Sequence, residues 1–350
     1  MLDQPFVPVR AEQSDHDAII MLEQYIWGSA EEATLEYLHW CLQDPAGQSI
    51  VYIIKNDSGR VLSLHMLLNV PACLEGKRIK AGISINVATH PDYRRKGLST
   101  QVADSILGEA KRQGIAFLFS VPNSMSHRLF TDKNNFVNLG KPLLLVRWID
   151  PAILIAKHGL PNVAKSLSFV TKLISGTLNI KKNSSIRVRY LENLDGLKFS
   201  KLSAPTDFHF ALDRHWLRWR YAEHPFRKYK FALVGDVGSP EALVVYEVVA
   251  QYKRALIMEF LAVKEVSARV AQALMDDVVE KCKAAGCSSV CCLGSPLSRK
   301  TTMLRKIGFW AFPFNSVWRP KIVLRSQKPM PAEFSLSSMD ISYGPLINFG

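Results

Sequence analysis

The chain has 350 residues, 48% of them hydrophobic and 21% charged, a balance that fits a folded globular protein and excludes a disordered or collagen-like chain. It holds no apolar run of 18 residues, so no spanning helix is expected. Its start, MLDQPFVPVRAEQSDHD, lacks the basic-then-apolar order of a secretion signal, which makes the cytoplasm the expected compartment and integral membrane contact unexpected. The formal net charge of +13 suits an anionic ligand, and no zinc finger, basic zipper or aromatic RNA-binding signature points to nucleic acid.

Residues 6–10 read as an edge strand, Ser14 as the cap of a helix over about 15–28, and 31–42 as a second helix. Strands follow at 49–55 and 60–70, with Asn56-Asp57-Ser58-Gly59 as the hairpin turn between them. A third strand near 78–89 stops where Pro91 withdraws an amide from the ladder. Arg94, Arg95, Lys96 and Gly97 come next, and Ser99 opens a helix whose Leu98, Val102, Ile106 and Ala110 share one face. A helix N-terminus carries unpaired amides and a partial positive charge, and glycine lets a ligand approach the backbone. The stretch 87–100, VATHPDYRRKGLST, therefore reads as a diphosphate cradle. Strands near 115–120 and 136–148 flank one more helix. The mixed order indicates an α/β (α+β) sandwich around a largely antiparallel sheet.

The second half repeats this order at offsets near 173–180 residues. His39-Trp40 and Asp44-Pro45 before SIVYII correspond to Arg218-Trp219 and His224-Pro225 before KFALV. INVAT corresponds to EFLAV (259–263), FLFSVPN (117–123) to VCCLGSP (290–296), and Asn135-Phe136 to Gly308-Phe309. The expected organisation is two tandem domains, 1–150 and 186–325, joined by a linker over 151–185 and followed by a tail, 326–350. The linker region 151–189 has no acid and seven Lys or Arg, with Val163, Leu167, Val170 and Ile174 as an apolar stripe. It reads as a helix packed between the domains, with a membrane surface or an acidic carrier protein as the other possible contact. The cradle is not repeated: after EFLAV comes KEVSARVAQ (264–272), which lacks glycine and places Glu265 where a diphosphate would lie. The six cysteines include a C-x4-C-x3-C-C cluster from Cys282 to Cys292, which is not a zinc spacing. Buried reduced thiols and no metal are expected.

The cradle resembles the coenzyme A loop of the GCN5-related N-acetyltransferases. That family's V-x-x-x-x-x-x-(R/Q)-x-x-G-x-(G/A) pattern falls on Val87, Arg94, Gly97 and Ser99, with Ser in place of the final Gly or Ala. The family's later Asn and Gly-Phe landmarks fall on Asn123 and on Asn135-Phe136, where Asn replaces Gly. The resemblance implies two tandem domains of that fold, each a mixed, largely antiparallel sheet flanked by helices. It implies an acyl-CoA-dependent N-acyltransferase, most simply an N-acetyltransferase using acetyl-CoA, with a small-molecule amine such as an amino sugar as acceptor. An acyl carrier protein as donor, or a non-catalytic acyl-CoA sensor, are the alternatives.

The resemblance also assigns roles. Cofactor contacts fall on Val87, Ala88, Thr89, Arg94, Arg95, Lys96, Gly97, Leu98, Ser99, Thr100 and Asn123. The family's general-acid Tyr position is occupied by Thr131, and by Leu304 in the second copy. From the residues themselves, the catalytic candidates are Asn86, on the strand that meets the cleft, and His127, one helical turn before Thr131 and able to titrate near neutral pH. Glu259 joins them as an acid inside an apolar strand.

Overall fold

The computed structural model describes residues 6–45, 47, 49–74, 77–122, 126–140, 142–150, 185–199, 202, 208–210, 213–263, 266–294, 299–313 and 322–326. The basic linker over 151–184, the tail from 327 and the residues Asn123, Lys264 and Glu265 lie outside them.

The first repeat begins with β1 (Val9–Arg10), α1 (His16–Trp27) and α2 (Leu35–Leu42), followed by β2 (Ile50–Lys55), β3 (Val61–Leu74) and β4 (Lys77–Thr89). The β2–β3 hairpin closes at the expected turn: Asn56 Oδ1 accepts from the Arg60 amide at 3.0 Å, and Gly59 takes φ +81°. Then come α3 (Leu98–Arg112), β5 (Phe117–Ser120), a single wide π-type turn over Leu129–Lys133, β6 (Val137–Gly140) and β7 (Leu143–Trp148).

The second repeat supplies β8 (Val188–Leu191), β9 (Phe208–Phe210), α4 (Arg214–Leu217), β10 (Lys230–Asp236), β11 (Ser239–Val249) and β12 (Arg254–Ala262). It continues with α5 (Ala268–Ala284), β13 (Ser289–Gly294), α6 (Arg299–Lys306), β14 (Trp310–Pro313) and β15 (Ile322–Ser326).

Two mixed sheets result. Among the described residues one runs β1-β2-β3-β4-β5-β15-β6, with β9 attached to the far end of β3, and the other runs β14-β7-β13-β12-β11-β10-β8. Both follow the same plan, yet each takes its penultimate strand from the other half of the chain. The strand expected as one piece over 136–148 is two. Pro142 has no amide to offer a ladder, and the chain breaks there. β6 stays in the first sheet beside β15, while β7 crosses to the second and lies between β13 and β14. In return β15 pairs with β5, from Val323 opposite Ser120 to Ser326 opposite Phe117. The boundary near residue 150 thus follows the chain and not the sheets.

The inner faces of both sheets share one core with α1, α2 and α4. Leu64, Met66, Leu68, Phe117 and Phe119 of the first repeat and Leu233, Leu243, Val245 and Met258 of the second belong to it. α3 covers the outer face of the first sheet through Leu98, Val102 and Ile106, and α5 covers that of the second through Ala271, Leu274, Met275 and Val278. At the centre, Trp40 and Trp219 stack at 4.3 Å with ring planes 8° apart. Each indole Nε1 donates to the other's backbone carbonyl, at 3.0 and 2.9 Å. Equivalent residues contact each other reciprocally, which is the signature of a two-fold relation between the repeats.

Candidate active site

The site begins where the first sheet comes apart. β4 and β5 run parallel and pair at Ala81–Phe117, Gly82–Leu118 and Ile83–Phe119. The Ser120 hydroxyl then donates to the Ser84 carbonyl at 3.3 Å. Beyond that tie β4 continues to Thr89 with β3 as its ladder partner, through Ile85–Met66, Ala88–Leu64 and Thr89–Ser63. The edge of Ile85–Thr89 that faces away from β3 opens a wedge.

A bulge sits in this free stretch. Two residues, Asn86 and Val87, oppose the single residue His65, and Asn86 takes φ +48°. Asn tolerates this left-handed conformation better than other non-glycine residues. Its Nδ2 donates to Glu23 Oε1 at 2.9 Å. Glu23 projects from α1 and is fully buried, and its Oε2 has no hydrogen-bond partner among the described residues. Burial pushes its carboxyl up to about 8, with the Asn86 hydrogen bond pulling the other way and the Glu32 charge adding to the rise. On the other side of the sheet, His65 bonds through Nε2 to the Ser84 hydroxyl, and burial lowers its imidazole to about 3, so it is neutral at physiological pH.

The loop after β4 is shaped by local bonds. His90 is buried, accepts from Arg60 Nη2 through Nε2 at 2.6 Å, turns Nδ1 toward Asp92, whose Oδ2 lies 3.6 Å away, and stacks on Tyr25 at 4.6 Å. It occupies the N-cap position of a 3-10 turn over Pro91–Tyr93. Arg94 Nε reaches back to the Thr89 carbonyl at 3.3 Å. Arg95 at φ +63° and Gly97 at φ +82° then swing the chain into α3. Among the described residues, the amides of Arg95, Lys96, Gly97, Leu98 and Ser99 meet no hydrogen-bond acceptor, and Gly97, at the N-cap position, offers no side-chain cap. A Cβ added to Gly97 would meet nothing within 4 Å, so the space above it is open. Arg94, Arg95 and Lys96 are exposed around it, with Lys96 Nζ 4.8 Å over the Tyr93 ring. Bare amides, a helix N-terminus, a glycine without overhead contacts and three cations fit a diphosphate. Leu98 is buried and anchors the helix, so its amide faces the loop while its side chain does not.

The remaining candidates lie elsewhere. The single Thr131 hydroxyl proton faces both the His127 carbonyl at 3.1 Å and Asp132 Oδ1 at 2.7 Å, which ties the side chain into its own turn. Asn135 takes φ +55° where Gly308 takes +96° in the second repeat, as the Asn-for-Gly substitution required. Glu259 is fully buried in β12, and its Oε1 accepts from the Tyr221 hydroxyl at 2.6 Å. That places it in the second repeat, apart from the loop. Among the described residues no three His, Cys, Asp or Glu side chains gather to hold a metal ion, and no helix is long and apolar enough to cross a membrane. Glu23 and His65 were missing from the sequence-derived set. Glu23 had a readable signal, since Ile19, Ile20, Ile26 and Trp27 surround it at helical spacing and place a carboxylate on the apolar face. His65 had none, lying in a strand that is apolar on both sides.

Residues 9–129 match the family model of the acetyltransferase (GNAT) domain. No curated protein matches the chain. Solved structures similar to it include a conserved protein from Enterococcus faecalis V583 described as a probable N-acyltransferase, with TM-score 0.64 and 11% identity over 92% of this chain and 73% of that one. A GCN5-related N-acetyltransferase from Anabaena variabilis ATCC 29413 gives TM-score 0.63 and 13% identity over 92% and 73%, and one from Kribbella flavida gives 0.60 and 13% over 92% and 71%. These likenesses show one shared fold running across both repeats, and residues 9–129 are similar to the acetyltransferase (GNAT) domain.

Proposed function

We propose that this protein moves an acetyl group from acetyl-CoA to the amine of a small molecule, by direct attack in a ternary complex. The observation that carries this reading is the open N-terminus of α3 beside the wedge between β4 and β5. The diphosphate is held by the amides from Arg95 to Ser99 and the N-terminal turn around Thr100, with Arg94, Arg95 and Lys96 adding charge. The thioester lies along Val87, Ala88 and Thr89, whose free edge supplies amides to polarise its carbonyl. Asn86 orients the polar groups at the bulge. Thr131 lines the turn beyond β5 and receives no part in the proton step, because its hydroxyl is already committed to its own turn. The second repeat, including Glu259, shapes and braces the acceptor side.

Calorimetry with acetyl-CoA, followed by an assay of free CoA release across a panel of amines that includes amino sugars, tests the proposal. Saturable binding together with amine-dependent release is the expected result. No binding to the purified protein overturns it, and tight binding with no release across the panel replaces it with an acyl-CoA sensor.

A further inference from the structure

Glu23 is an expensive residue for a structural role. A fully buried carboxyl on the apolar face of α1 would lose little by being glutamine, which could still accept the Asn86 hydrogen bond. Instead the chain keeps an acid whose second oxygen has no partner among the described residues. The acid stands one side chain away from the bulge at Asn86, directly before the free strand edge Val87–Thr89. The groups acting on it from the elements packed around α1 are the Glu32 carboxylate, which precedes α2, and Asn86 of β4, and its charge is felt by the buried Cys41 thiol of α2. None of these is a cation that would hold it ionised as a salt bridge.

We infer that Glu23 is the proton acceptor of the transfer reaction, taking a proton from the acceptor ammonium through Oε2, with Asn86 fixing the carboxyl through Oε1. This inference rests on the acetyl-transfer reading. In the step it describes, the carboxylate removes one N–H proton from the ammonium. The freed lone pair forms the C–N bond to the thioester carbon, the C–S bond breaks, and the departing thiolate takes the second N–H proton. The products are the N-acetyl amine, CoA thiol and protonated Glu23, which returns its proton to water. Elevation of the carboxyl to about 8 suits this task, because a base works best when its affinity for the proton lies near the working pH.

The test uses the full chain, acetyl-CoA and whichever panel amine releases CoA fastest. For the wild type, kcat should rise with pH along one ionisation to a plateau above about pH 8. Glu23→Gln should fold, bind acetyl-CoA within twofold of wild type, and lose at least about a hundredfold in kcat. With hydroxylamine, already unprotonated at pH 7, the loss should shrink to less than tenfold. Asn86→Gly retains the positive φ but deletes the hydrogen bond that holds the carboxyl down, so its pH limb should move upward. A Glu23→Gln enzyme that keeps the wild-type limb and a kcat within threefold overturns the inference while leaving the acetyl-transfer reading intact. Wild-type protein that binds no acetyl-CoA, or releases no CoA with any amine, overturns that reading and the inference with it.

Discussion

The two repeats start their long outer helices in opposite ways. α3 begins behind Gly97, with five successive amides bare and three cations around them. α5 begins behind Ser267, whose hydroxyl accepts from the Val270 amide at 3.2 Å. One helix end is satisfied by its own chain, while the other leaves its amides bare among the described residues. The helices are otherwise alike, each laying an apolar stripe on the outer face of its sheet. Both sheets also part after a few parallel pairs, β12 and β13 doing so beyond Ile257–Cys292. The proposed function places the chemistry in the first repeat, and this difference between the helix starts supports that reading.

The largest effect should come where the repeats are equivalent. Trp40→Ala and Trp219→Ala each remove a stacked indole and orphan a buried carbonyl. Each should cost about 4–5 kcal/mol in urea denaturation. A large inequality between the two would break the symmetry of the core.

Glu23→Gln sharpens the contrast through pH. An ordinary Glu carboxyl titrates near 4.5, and burial lifts Glu23 to about 8. Between these values the unfolded chain releases a proton that the folded chain keeps, so wild-type stability falls as pH rises from about 4.5 to 8. The Gln variant escapes this loss. Unfolding free energies from urea titrations should coincide near pH 4 and differ by about 4–5 kcal/mol at pH 9, with Gln the more stable.

Gly97→Glu should weaken acetyl-CoA binding at least about a hundredfold by calorimetry, roughly 3 kcal/mol, with Arg94→Glu following at about tenfold. Ser267→Ala should lower stability by about 1 kcal/mol and leave acetyl-CoA affinity unchanged. A loss of affinity there would mean that the capped helix end also serves the ligand.

Much of this architecture was legible because it is written in local chemistry. The hairpin at Asn56–Gly59, the end of β4 before Pro91 and the glycine at the head of α3 each follow from what one residue's backbone allows. The repeat was legible from residue order alone, and the Trp40–Trp219 contact gave it a physical meaning. The strand exchange was not legible. β7 would fill either sheet equally well by its pattern, and only long-range pairing decides between them. The Glu23–Asn86 pair was half legible: the odd acid on the face of α1 was visible, but its partner 63 residues away was not.

The exchange of β7 and β15 also sets a timetable for synthesis. The slot between β5 and β6 cannot receive β15 until residue 326 has left the ribosome, about 180 residues after β7 was made. At roughly 5–20 residues per second, that is on the order of ten to thirty seconds. For that interval the first sheet holds two open strand edges, and the strand at hand to fill them is β7, which matches the slot in kind but belongs to the other sheet. The nascent chain must delay or reverse that pairing, so the first sheet, which carries the proposed site, is completed only after most of the second repeat has been made.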